Sequence, residues 1–373
     1  MTRPAVASID LKAFADNLRY ADLLAGTAET VAVVKADGYG HGIVEIARTA
    51  AHQVQRLAVS CPEEALQIRK AGVKNPIILL EGIFCADELA WCLTHNCELV
   101  LHSDYQVSAL ESYLRDYLRD DRAACSAVQV WLKLNTGMNR LGFDEPTLLE
   151  MKSRLAELGG CVHLQGVLSH VACADDAESS HAVSQFQRFA DFRSRCSHGL
   201  SSIANSATLL NYPKHCYQLI RPGIMLYGSS PVLGRTGLEL GLKPVMTLKS
   251  RVIATRKLKP GDTVGYGATW IADKECYMGV VAMGYGDGYP RHAPNGTPVA
   301  VQGRQVQLIG RVSMDMLTVD LGLMSDIGVG AEVELWGNTV SVDTVADHCQ
   351  TIGYELLTGI TSRVPRVYTH QSA

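Results

Sequence analysis

A chain of 373 residues is too long for one ordinary core and suits two domains, or one barrel with an appended domain. Its hydrophobic fraction of 47%, charged fraction of 19% and formal charge of -4 exclude the broad basic field of a nucleic-acid binder. No stretch approaches ~18 uninterrupted apolar residues, and MTRPAVASIDLKAF lacks the order of an export leader, so a cytoplasmic chain with no membrane insertion is expected.

In chain order, Leu11 to Leu24 has helical periodicity. Short β-branched runs then recur at Val31 to Lys35, Leu57 to Ser60, Pro76 to Leu80, Glu98 to Leu101, Val128 to Leu134, Leu164 to Ser169, Ser202 to Asn205 and Tyr217 to Arg221. Helical stretches separate most of them, among them Pro62 to Ala71, Ala86 to His95, Tyr105 to Arg119 and Glu145 to Leu158. Eight strands alternating with helices predict an α/β fold, a (β/α)8 TIM-like barrel, with an open doubly wound sheet as its rival. The rival's GxGxxG fingerprint is absent, and GYGHG matches it in glycine content only.

After Gly228 the texture changes to alternating β-type runs: VMTLKSRVIATRKL, CYMGVVAMGYG, VQLIGRV and EVELWG, separated by KPGD and PNGTP turns. A second, mostly antiparallel β domain is therefore predicted, with a short helix at Val342 to His348. The division falls at 1–230 and 231–373, the first residues being free to join the β part, and SSPVLGRTG and GLKP read as linker. The 11 cysteines never adopt CxxC spacing and the 12 histidines form no HExxH, so reduced thiols and no metal site are expected.

Lys35 ends an apolar strand inside AVVKADGYGHG, at the mouth where barrel enzymes present catalytic groups. Alone, such a lysine reads as a side chain snorkelling at a rim. Other strand ends change that reading: Lys133 with Arg140 across KLNTGMNRLGF, His170, Asn205 with Ser206, and Arg221 followed by PGI. A serine hydroxyl with the N–H groups of Gly223 and Ile224 suits a phosphate, and a desolvated lysine suits a Schiff base, so a small phosphorylated cofactor fits better than a dinucleotide.

VVKADGYGHG resembles the pyridoxal 5′-phosphate (PLP) attachment signature of alanine racemases. KLNTGMNRLGF, LSHVACADD, ANSA, RPGIMLYG, VGYGATW, MGYGDGYPR, GRVSMD and RVPR resemble that family's blocks, in its order and over essentially the whole chain. The resemblance implies a PLP-binding barrel plus a C-terminal β domain, assembled as a head-to-tail homodimer whose β domain supplies residues to the partner's active site. It implies Lys35 as the cofactor lysine and one base, with Tyr266 reaching from the other subunit as the second. Racemisation needs a proton removed on one face of Cα and delivered on the other, which two such bases accomplish.

By the same resemblance Arg221 faces the pyridine nitrogen and His170 orients it. A guanidinium does not readily give up its proton, so the ring stays a weak electron sink and Cα is promptly reprotonated. Arg140 contacts the cofactor's phenolic oxygen and the substrate carboxylate. Lys133 matches a lysine that many relatives carry as a carbamate, an anion suited to holding Arg140 where a plain ammonium would repel it. Tyr39, Ser206, Gly223 and Ile224 take the phosphate and Asn205 braces their loop. Many relatives place a further tyrosine before RVPR, where this chain has Ser362.

From the partner subunit, Met314 and Asp315 line the substrate pocket, and Tyr285 and Arg291 match gate and corridor positions. The implied substrate is L- or D-alanine, for peptidoglycan synthesis or alanine breakdown. A non-catalytic PLP carrier, against which the β domain containing Tyr266 counts, a broader-specificity or serine racemase, and a PLP-dependent decarboxylase of basic amino acids are the alternatives. The last needs an acid opposite the pyridine nitrogen, against which Arg221 and Tyr266 count.

Overall fold

The computed structural model describes residues 3–119, 127–196 and 199–369. Parallel strands run over Glu29–Val33, Arg56–Val59, Ile77–Leu79, Cys97–Leu101, Val128–Lys133 and Val162–Leu168. They continue through Leu200–Ser202, Ala204–Asn205 and Leu219–Arg221. Leu200–Ser202 pairs with Val162–Leu168, whereas Ala204–Asn205 pairs with Leu219–Arg221, which in turn pairs with Glu29–Val33. One segment, interrupted only at Ile203, thus occupies both ends of the sheet and closes it into a barrel. Most of these strands are buried on both faces and so read as near-continuous apolar runs, Val162–Leu168 with its exposed His163 being the exception.

Cys97–Leu101 is buried at every position although it contains a carboxylate. Glu98 is tolerated there because it accepts Trp131 Nε1–H at 2.7 Å and pairs with Arg56 at 2.9 Å. Helices between strands begin where the sequence offers a cap or a proline. Asp144 accepts Thr147 N–H ahead of Glu145–Glu157, and Pro62 opens Pro62–Lys70. The Ile43–Ala51 and Ser180–Arg195 helices complete the layer outside the barrel.

The second sheet has eight strands, in the order Cys276–Val281, Leu317–Gly322, Arg304–Leu308, Pro298–Val301, Glu332–Trp336, Met246–Leu258, Val6–Asp10 and Arg366–Thr369. Met246–Leu258 also pairs with Cys276–Val281. Val6–Asp10 lies inside this sheet, antiparallel to Met246–Leu258 and parallel to Arg366–Thr369. Asp10 then accepts Ala13 N–H at 2.9 Å and caps the helix Leu11–Ala25, which returns the chain to the barrel. The helix Val342–His348 forms where expected. The helix Gly353–Thr358, too short to show a period, was not anticipated by the sequence. Among the described residues no helix is long and apolar enough to cross a membrane.

Candidate active site

The first barrel strand stops earlier than predicted. It ends at Val33, and Lys35 opens a single turn, Lys35–Tyr39, wound with the wrong hand. Ala36, Asp37, Gly38 and Tyr39 have φ of 53, 54, 60 and 51°, and Gly40 follows at 80°. Left-handed helical backbone costs about 1–2 kcal/mol for each residue bearing a Cβ, so three of these residues are strained. The turn persists because its surroundings over-determine it. Gly38 N–H reaches Val34 O at 3.0 Å, Gly40 N–H reaches Ala36 O at 2.9 Å and Gly42 N–H reaches Asp37 O at 2.8 Å. Asp37 also accepts Ile43 N–H at 2.8 Å, and His41 Nδ1 donates to Tyr39 O at 2.8 Å. Arg366 Nε donates to Gly40 O at 3.1 Å.

Beside this turn, at the carboxyl ends of the strands, lies a cavity of about 780 Å³. One side is cationic, formed by Lys35, Lys133, Arg140 and Arg221 with His170. Arg221 is buried and donates to Ser202 Oγ and, at 2.5 Å, to Ser169 O, so its hydrogen bonds run to the seventh and sixth strand ends. His170 lines the cavity without bonding to Arg221; Gln185, buried under the loop, holds the His170 carbonyl at 3.1 Å. Burial lowers Arg221 to about 10, which leaves it cationic at neutral pH. Burial, then the charges of Arg221, Lys133, Arg140 and Lys35, push His170 down to about 3.

Burial likewise lowers Lys133 to about 8, with Arg221 and Arg140 adding to the shift. Its ordinary value is 10.5, so between about pH 8 and 10.5 the unfolded chain binds a proton that the folded chain does not. Stability of the cofactor-free protein should therefore rise as pH climbs through that window. Below it the buried ammonium costs on the order of 3 kcal/mol. Urea unfolding of wild type and Lys133→Met across pH 6.5–10.5 checks this: the variant should be the more stable at neutral pH and lack the rise. A wild-type curve as flat as the variant's would refute it.

A second group of lining residues has the chemistry of an anion cradle. Ser206 Oγ accepts Gly223 N–H at 2.8 Å, and Tyr39, Gly223 and Ile224 line the same wall. Asn205 caps the helix Ser206–Asn211 by accepting Thr208 N–H at 2.9 Å, which fixes the serine. A Cβ on Gly223 would lie 2.3 Å from Tyr39 Oη, so only glycine leaves room there. Hydroxyls and backbone N–H groups together with cations and an amine in one cavity fit a phosphorylated aldehyde such as PLP. Tyr39 Oη, Ser206, Gly223 and Ile224 would hold its phosphate, and Lys35 its carbon.

The cavity thus gathers every barrel residue singled out from the sequence. It does not contain Tyr266, Tyr285, Met314 or Asp315. Tyr266 stands 71% exposed on a short turn, Tyr266–Ala268, and Met314 is 53% exposed. Tyr285 N–H donates to Ser313 O and Gly286 N–H to Met314 O, while Arg363 binds Asp315 at 2.6 Å, so these segments form one surface of their own. Arg291 is exposed.

Ser362 is exposed and away from the cavity. A tyrosine does enter, but it is Tyr354 of the unanticipated helix Gly353–Thr358, its ring 6.0 Å from that of Tyr39. Glu81, at the third strand end, was also missed. A polar residue directly after the apolar run IILL was its signal, the same signal that singled out Lys35.

Two family descriptions match the chain: "Alanine racemase, N-terminal domain" over residues 9–231 and "Alanine racemase, C-terminal domain" over residues 245–368. The alanine racemase of Hahella chejuensis is 48% identical over 376 residues, covering 99% of each protein. That of Marinobacter nauticus is 49% identical over 369 residues, covering 99% of this chain and 100% of the relative. Among solved structures, the biosynthetic alanine racemase of Pseudomonas aeruginosa superposes with a TM-score of 0.93 at 42% identity, covering 99% of this chain and all of that one. The chain belongs to the alanine racemase family, whose fold-type III members are isomerases dependent on pyridoxal 5′-phosphate.

Proposed function

We propose that this chain interconverts L- and D-alanine as a homodimer in which each site joins Lys35 of one subunit to Tyr266 of the partner subunit. The observation that carries the reading is a division of labour. The barrel cavity holds an amine, an anion cradle and a cationic wall, while the second proton-transfer group, Tyr266, stands exposed elsewhere on the same chain. Two chains arranged head to tail bring both to one place, with Met314, Asp315 and Tyr285 of the partner subunit closing the substrate pocket.

When bound, PLP draws electron density from the substrate Cα and so acidifies its C–H bond. The remaining work belongs to side chains. Lys35 Nζ takes or returns the proton on one face, and the Tyr266 phenol does so on the other. Arg221, held by Ser202 and the Ser169 carbonyl, keeps its own proton and would hold the cofactor's ring nitrogen by a hydrogen bond without protonating it. Arg140 offers a fork for the substrate carboxylate. Lys133, with its lowered pKa, supplies a neutral amine that can attack carbon dioxide, forming an N–C bond and releasing a proton; the resulting carbamate would anchor Arg140.

Assay of the purified protein with L-alanine, L-serine and L-lysine, beside its cofactor absorbance, tests the reading. Racemisation of alanine well above the other two is expected. Normal cofactor absorbance with no alanine turnover would overturn it, and equal rates on serine would replace it with a broader racemase.

A further inference from the structure

Glu64 does not line the cavity, yet both its oxygens serve the cavity's edge. It sits on the helix Pro62–Lys70 after the second barrel strand. One oxygen accepts Ala36 N–H at 2.6 Å and the other accepts Ser60 N–H at 2.8 Å. Ser60 follows the strand Arg56–Val59, and Ala36 is the first left-handed residue after Lys35. A single carboxylate therefore ties two neighbouring strand ends together directly beside the lysine. Helix capping accounts for half of this: Glu64 is the third residue of its helix, where a carboxylate commonly reaches back to an N–H ahead of the first turn. It does not account for the bond to Ala36, 28 residues earlier in the chain.

We propose that Glu64 is a positioning residue for Lys35, its carboxylate fixing the backbone at residue 36 and with it the direction in which the lysine amine enters the cavity. The proposal rests on the reading of Lys35 as the cofactor lysine. Strain makes such a clamp necessary, because a turn that its own backbone disfavours relaxes wherever a tether is removed. The far end of the turn is tethered independently by Asp37, His41 and Arg366, which hold Ile43 N–H, Tyr39 O and Gly40 O. Loss of Glu64 should thus release the lysine end while leaving Tyr39 and the anion cradle in place. A carboxylate bonded to backbone N–H groups is also the stronger kind of hydrogen-bonding partner, so a neutral amide replaces it only in part.

The test uses full-length wild type, Glu64→Ala and Glu64→Gln, each stripped of cofactor. Added PLP is followed by absorbance as the Lys35 nitrogen bonds the aldehyde carbon and the aldehyde oxygen leaves as water. Borohydride then traps the linkage, and peptide mapping locates it. In parallel, equilibrium binding of pyridoxamine 5′-phosphate, which has ring and phosphate but no aldehyde, reports the cradle alone. Glu64→Ala should attach PLP about tenfold more slowly, Glu64→Gln less so, with pyridoxamine phosphate affinity nearly unchanged in both. An unchanged attachment rate at Lys35, or equal losses in both measurements, would overturn the role of Glu64. Trapping at a different lysine would instead overturn the reading of Lys35. Should Glu64→Ala not fold, Glu64→Gln alone decides between these outcomes.

Discussion

Lys35→Ala and Tyr266→Phe, purified separately, should each lose alanine racemisation by at least about 10²–10⁴-fold, since in the proposed mechanism each removes one of two proton-transfer groups. Mixed in equal amounts and allowed to exchange subunits, the two inactive proteins should regain about a quarter of wild-type activity. Half of the dimers are then mixed, and in each of these one site has both defects while the other has neither. The expectation follows from geometry: Lys35 faces the barrel cavity, whereas Tyr266 is exposed on a separate turn of the β sheet. Activity measured against mixing ratio should peak at equal amounts. No recovery despite proven subunit exchange would mean that both groups act within one chain, or that Tyr266 is not the second base.

Gly40→Ala should be among the most damaging single-methyl additions in the protein. The new Cβ would lie 2.1 Å from Leu357 O and 2.9 Å from Leu357 C, backbone atoms that cannot swing aside, at a φ of 80°. Overpacking and left-handed strain together should cost about 3–5 kcal/mol. Gly72→Ala is the control, because its φ is 85° but nothing lies within 4 Å, leaving strain alone at about 1 kcal/mol. The clash also pries the Lys35–Tyr39 turn from the helix bearing Tyr354, so PLP affinity should fall with stability. Thermal unfolding and PLP titration of the two variants decide it: equal stability in both would show that the close approach of Gly40 to Leu357 carries no load.

The barrel was legible because each strand is a short β-branched run ended by a helix signal, and because polar residues at strand ends stand out against that background. Lys35, Lys133, His170 and Arg221 were found in this way. What the sequence concealed is short or non-local. The left-handed turn has no periodicity, and only its glycines hint at it. Tyr354 sits on a helix of six residues, below the length at which a hydrophobic face becomes visible. Glu64 looks like an ordinary acid in a first helical turn, and only three dimensions reveal that it reaches Ala36. The strand Arg366–Thr369 is four residues long and owes its place to pairing with Val6–Asp10 at the other end of the chain.

That pairing sets an order of events during synthesis. Val6 is opposite Lys249, and Ala7 is opposite Arg366, so the first strand has no partner until the ribosome has made most of the chain. At about 5–20 residues per second, the wait lasts roughly 12 seconds or more, while the barrel between can already form. Throughout that interval a nascent apolar segment hangs beside a folding barrel, available to a chaperone or to another copy. Yield from the cell should accordingly depend on how the first ten residues are protected, well before any question of catalysis arises.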